Sequence, residues 1–215
     1  PALFERVKVE KIFLPYFDTK TYRDVFIASL IAGDIFPTDV NVKLFENGDT
    51  NALFGKNICS LFQNAAYSIC NVEGVFTDAV KMVEKASGPK LKTTPQSIMA
   101  IRNLGVKCLA TANNHIMDFL EQGYRDTIKI IEENGFDYLG SGYTSSNIKK
   151  HISLTIGGFK ICVYNVAETM YNKPSATLPG VNYYDEYVVC QELAKLKKVH
   201  DYLVVIYHGG IEFYK

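Results

Sequence analysis

The 215 residues carry 23 Lys and Arg against 23 Asp and Glu, a formal net charge of zero, and 47% of them are hydrophobic. The balance excludes a protein held to nucleic acid or an anionic membrane by bulk basicity, and the apolar content excludes a disordered chain. The length fits one ordinary domain, and 15 Gly with 7 Pro are too few for a low-complexity composition.

Residues 1–24 are read as an N-terminal extension and residues 25–215 as the domain. Residues 25–32 are apolar almost throughout, the pattern of a strand buried on both faces. Residues 50–65 place Leu53, Ile58, Leu61 and Phe62 at helical spacing, and residues 67–72 form a second buried strand. Thr94-Pro95 opens a helix, with Thr as N-cap and Pro at the first position, and Gly105 closes it. Residues 106–111 are a third strand. Residues 120–134 form a helix with Tyr124, Ile128 and Ile131 on one face and Gly135 at its end. A short strand at 136–139 precedes two strands, 151–156 and 159–166, joined by Gly157-Gly158, a hairpin signal. Residues 187–199 read as a helix and 202–207 as a last buried strand. Alternating strands and helices give an α/β sheet.

The longest apolar runs, 25–32 and 202–207, fall far short of the ~20 residues a membrane helix needs. The five cysteines are odd in number and widely spaced, without a C-x-x-C pair. This argues for free thiols and a reducing, cytoplasmic setting. The chain opens on Pro1 without Met, so an anchor upstream would make the parent membrane-associated or extracytoplasmic.

Four apolar runs end abruptly in polar loops: Gly33-Asp34, Asn71-Val72-Glu73-Gly74, Asn113-Asn114-His115 and His208-Gly209-Gly210. Ligands in α/β sheets bind beyond the carboxyl ends of the strands. If these strands are parallel, Asp34, Asn71, Glu73, Asn114, His115 and His208 converge at one edge. Each residue alone reads first as a turn, cap or loop residue; their joint occurrence at four strand ends points to a site. Carboxylate, amide and imidazole together suit Mn, Fe or Zn better than Ca. Such an ion polarises a phosphoryl oxygen and acidifies a bound water. His151 and His200 read as surface residues. Glu168, just past a strand, reads equally as a rim residue or as an exposed acid.

The set Gly33-Asp34, Asn71-Val72-Glu73, Asn113-Asn114-His115-x-x-Asp118 and His208-Gly209-Gly210-x-Glu212 resembles the bacterial capsule-synthesis proteins of the CapA type. These are linked to poly-γ-glutamate and belong to the calcineurin-like metallophosphoesterase superfamily. The resemblance implies an α/β fold: a metallophosphoesterase-like sandwich of two β-sheets flanked by helices, with one or two divalent metal ions at the strand ends. Asp34, Glu73, Asn114 and His208 would be metal-site residues, and Asn71 would bind directly or support them. His115 would be the general acid, oriented by Asp118, with Gly209, Gly210 and Glu168 at the substrate-binding rim. The implied substrate is a phosphorylated or polyanionic small molecule or polymer, with capsule-machinery proteins as partners of the parent and no nucleic acid.

Four features depart from that pattern, one being that the second motif lacks the superfamily's usual Gly-Asp-x-x-Asp form. Phe36 stands where the superfamily's Asp-x-His has its histidine. Phe119-Leu120 follows Asp118 where the capsule type carries Gly at the second place. The closing Gly-His-x-His motif occurs nowhere in the chain. The expectation is therefore a C-terminally truncated domain with an incomplete, weakly metal-binding site. A non-catalytic capsule-assembly protein and a cytoplasmic phosphoesterase of a small phosphorylated metabolite are the alternative functions.

Overall fold

The structure, a computed structural model, describes residues 29–84, 88–168 and 172–210. In chain order it runs β1 (Ser29–Asp34), α1 (Val42–Glu46), α2 (Thr50–Asn64), β2 (Tyr67–Asn71), β3 (Val75–Phe76), β4 (Lys92–Thr93), a 3-10 turn (Pro95–Ser97) and α3 (Ile98–Leu104). It continues with β5 (Cys108–Ala110), α4 (Leu120–Glu133), β6 (Asp137–Leu139), β7 (Ser141–Gly142), β8 (His151–Ile156), β9 (Phe159–Ala167), β10 (Gly180–Val181), α5 (Glu186–Lys197) and β11 (Tyr202–His208). The expected N-terminal extension, residues 25–28 of the first expected strand, and Glu212 lie outside the described residues.

Two sheets carry the fold. The first has order β1-β2-β5-β6, all parallel; the second has order β11-β9-β8, with β11 parallel and β8 antiparallel to β9. Side chains alternate across each strand, so each sheet has two faces to cover. Ile69, Cys108, Ala110 and Leu139 of the first sheet pack on Ile156, Ile161 and Val163 of the second. The opposite face of the first sheet, with Cys70 and Leu109, is covered by a helical layer that includes Ile101, Leu104, Tyr124, Ile128 and Ile131. The outer face of the second sheet places Tyr164 and Val166 against Val189, Leu193 and Leu196 of α5. The order helix, sheet, sheet, helix is the two-sheet sandwich that the resemblance implied. Two short pairs, β3 with β4 and β7 with β10, complete the strand pairing.

Several local expectations change. The first strand is not buried on both faces: β1 is an edge strand, and Ile31 is 42% exposed. β11 is also an edge, with its inward residues packed on the first sheet while Val205 and Tyr207 stay exposed. In α2 the apolar stripe splits, because Gly55 at φ 76° kinks the helix and resets its phase. Leu53, Phe54, Cys59 and Phe62 face the core, whereas Ile58 and Leu61 face solvent. Thr94 does not cap its helix through its side chain; its hydroxyl donates to Glu46 Oε1 at 2.8 Å. Gly105 ends α3 at φ 93°, and Gly157 and Gly158 turn the β8–β9 hairpin at φ 58° and 86°, as their positions predicted.

Candidate functional site

The parallel strands of both sheets end on the same side of the sandwich, and their final residues meet across the gap between the sheets. Asp34 ends β1. A break in the β1–β2 register after Ile31 sets it opposite Asn71, the last residue of β2. Asn71 Nδ2 donates to Asp34 Oδ1 at 2.5 Å and lies 3.3 Å from His208 Nδ1, at the end of β11 in the other sheet. His208 Nδ1 is 3.5 Å from Asp34 Oδ1. On its other side, His208 Nε2 donates to Asn114 Oδ1 at 2.9 Å and stands 3.6 Å from Glu73 Oε1. Glu73 Oε1 also lies 3.8 Å from His115 Nε2, so one carboxylate faces two imidazoles.

Loop chemistry sets these positions. Glu73 is carried by a turn ending at Gly74, which holds φ 145°; a Cβ there would strike the Phe36 ring. Phe36 itself packs against Phe76 in the core at a centroid distance of 6.2 Å, so where the resemblance would put a histidine this chain places core. The loop after β5 is pinned by Asn113, which is fully buried. Its Nδ2 donates to the Val72 carbonyl at 2.6 Å, and its Oδ1 accepts from the His115 amide at 3.0 Å. That second bond is the side-chain turn asparagine favours. His115 Nδ1 donates to Asp118 Oδ2 at 2.6 Å, and the same oxygen accepts from the Leu91 amide at 2.8 Å. The dyad is buried: Asp118 is 1% and His115 7% exposed.

The charges are coupled. The hydrogen bond from His208, with the charge behind it, holds the Asp34 carboxyl below its ordinary range despite partial burial. For His208, burial disfavours the charged ring, but the Asp34 hydrogen bond and the charges of Asp34 and Glu73 outweigh it and raise the ring above its ordinary value.

The structure therefore brings Asp34, Asn71, Glu73, Asn114, His115, Asp118 and His208 into one cluster. Glu168 is not in it. Exposed at the rim, its Oε2 accepts from the Gly210 amide at 2.8 Å and the Tyr207 hydroxyl at 3.3 Å, fixing the loop that follows His208. Gly209 passes so close that a Cβ would lie 2.5 Å from Glu168 Cβ. His151 is exposed, and His200 is partly covered, bonded to Ser153 Oγ and the Leu196 carbonyl. Sequence reasoning missed the buried asparagines behind the cluster. Asn113 stands in the sequence only as part of a motif, and Asn165 and Asn182 belong to none, although a lone Asn inside the apolar run of β9 is a visible signal.

The donor types suit a borderline divalent ion: two carboxylates, an amide oxygen and imidazole. Among the described residues, however, no three His, Cys, Asp or Glu side chains are already gathered into a group that could hold a metal. Asp34 and His208 spend their donors on Asn71, Asn114 and each other. No helix among the described residues is long and apolar enough to cross a membrane.

Comparison with known proteins gives the chain a family. The chain is 27% identical to the PGA biosynthesis protein CapA of Bacillus subtilis, over 90% of its own length and 52% of that protein's. It is 25% identical to the capsule biosynthesis protein CapA of Bacillus anthracis, over 74% and 40%. It thus spans about half the length of the curated relatives it matches. Among solved structures, a Staphylococcus aureus candidate 5'-nucleotidase in complex with alpha-ketoglutarate superposes with a TM-score of 0.51 at 15% identity. That match covers 85% of this chain and 37% of the other, and it shows a shared fold. Residues 29–215 match the family model of the bacterial capsule synthesis protein PGA_cap, and with every described residue inside that match, the protein belongs to the PGA_cap family.

Proposed function

We propose that this chain carries the metal-binding, phosphoester-cleaving face of a capsule-biosynthesis protein. One observation carries the reading: Glu73 stands between His115 and His208, with Asp34 and Asn114 against His208, where the strand ends of two sheets meet. Asp34, Glu73, Asn114 and His208 are the residues that would hold a divalent ion, Mn, Fe or Zn by donor type, with Asn71 steadying Asp34. When bound, the ion would supply charge for a phosphoryl oxygen and an acidified water. The protein's own contribution is proton handling. Asp118 holds the Nδ1 proton of His115 and steadies the imidazolium form, whose Nε2 proton faces the cluster and would pass to a leaving oxygen, leaving the ring neutral. Glu168 holds the Gly209-Gly210 backbone at the rim, where a phosphorylated or polyanionic substrate would lie.

This chain is expected to bind metal weakly, because its metal-donor atoms are engaged with one another. The test is turnover of an aryl phosphate with Mn(II) by the wild type and His115→Gln. The reading expects slow turnover, reduced roughly a hundredfold or more in the variant, the scale of a lost general acid. Equal rates would contradict it.

A second reading is a non-catalytic assembly protein that keeps the fold. Phe36 favours it, since its ring has joined the core where the superfamily places a histidine. Mn(II) uptake without any turnover would select that reading.

A further inference from the structure

Asn165 lies in the middle of β9, in the run Val163-Tyr164-Asn165-Val166, and is fully buried. Its side chain joins the two sheets. Oδ1 accepts from the Ala112 amide at 3.0 Å, in the loop after β5; Nδ2 donates to the Ile206 carbonyl at 3.1 Å, in β11. Ala112 is two residues before Asn114, and Ile206 is two residues before His208. Asn165 thus grips both segments whose ends make the Asn114–His208 contact.

The surroundings are shaped around it. Gly140 holds φ 101°, and a Cβ there would collide with Asn165 Oδ1 and the Ala112 amide. Asn182 Nδ2 donates to the Asn165 carbonyl at 2.8 Å, and the Asn182 amide donates to the Gly140 carbonyl at 2.7 Å.

Apolar contact between the sheets is non-directional and fixes no sliding position. A hydrophobe at 165 would pack against either face but would leave the buried Ala112 amide without its acceptor and the Ile206 carbonyl without its side-chain donor. Directed bonds at this one point set how far the sheets are displaced along the strands.

We infer that Asn165 is a positioning residue that sets the two sheets in register and so places His208 against Asn114 and Glu73. The inference rests on the proposed site only in taking His208 as a working group.

The experiment compares Asn165→Leu with Val163→Ala, a core truncation two residues away on the same strand. Long-range 1H–15N spectra of histidine-labelled protein report the His208 ring, with His200 as internal reference. The expected result is a displaced His208 signal in Asn165→Leu and an unmoved one in Val163→Ala, even where both lose similar thermal stability. If Asn165→Leu does not fold, Asn165→Ser, too short to reach both partners, takes its place. A folded Asn165 variant with His208 unmoved, or Val163→Ala moving it equally, would overturn the inference. Mn(II) titration forms a separate arm, in which affinity is expected to fall about tenfold or more, as for groups that orient metal ligands. If the wild type takes up no Mn(II), the metal reading fails while the spectra still decide the role of Asn165.

Discussion

At the scale of single residues, the Asp34–His208 pair makes pH the natural variable. Asp34 titrates below its usual range and His208 above its own. The carboxylate's contribution to stability is present above its unfolded pKa and lost as pH falls through its lowered folded value. The imidazolium's contribution is present below its unfolded pKa and lost as pH rises through its raised value. The pair therefore supports the metal-free fold most between those two limits. Thermal melting of wild type against His208→Gln in chelator should show the largest gap near pH 5 to 6, shrinking above the His208 pKa; a gap that grows toward pH 9 would contradict this. Leu120 makes a separate point. It opens α4 at φ 57°, a left-handed conformation that costs a non-glycine residue about 1 kcal/mol. This is the position where the capsule-type pattern carries Gly, so the departure noted in the sequence is a site of backbone strain. Leu120→Gly is expected to stabilise the fold by about 0.5 kcal/mol in urea unfolding, the relieved strain less glycine's larger entropy in the unfolded chain; destabilisation would show that the Leu120 side chain outweighs its backbone.

At the scale of elements, the sandwich hides its thiols. Cys59, Cys70, Cys108 and Cys162 are buried and Cys190 is exposed on α5. Burial pushes the Cys108 thiol up to about 12 and Cys162 up to about 11, so neither offers a thiolate at neutral pH. A colorimetric thiol reagent should find one fast-reacting cysteine in the native protein and all five after denaturation; two or more fast thiols would mean that a sheet opens. Elements also show where local pattern suffices. The α4 stripe of Tyr124, Ile128 and Ile131 is fully buried, as its spacing predicted. The edge status of β1 and β11 was not legible, because apolar content does not reveal sheet order and pairing partners lie far apart in sequence. The α2 stripe failed for a local reason, since Gly55 breaks the periodicity that the pattern assumes to be continuous.

At the scale of the whole molecule, the four strand-end motifs were readable because each breaks an apolar run with polar groups at the same place, its carboxyl end. Their meeting across two sheets was not, because it depends on how the sheets slide over one another. Asn165 and Asn182 fix that relation from within the core, and a single buried amide in an apolar strand announces no role by spacing. Any metal must displace hydrogen bonds that the cluster now makes to itself, and the proton that a raised His208 retains, so uptake should strengthen as pH rises through the His208 pKa. The most direct measurement is a Mn(II) titration, followed by electron paramagnetic resonance at pH 8, of the wild-type chain and the Asp34→Ala, His208→Ala double variant. Saturable uptake by the wild type, weakened at least about tenfold in the double variant, equivalent to about 1.4 kcal/mol, is the predicted result. No uptake by the wild type, or equal uptake by both, would contradict a metal site at the meeting of the two sheets.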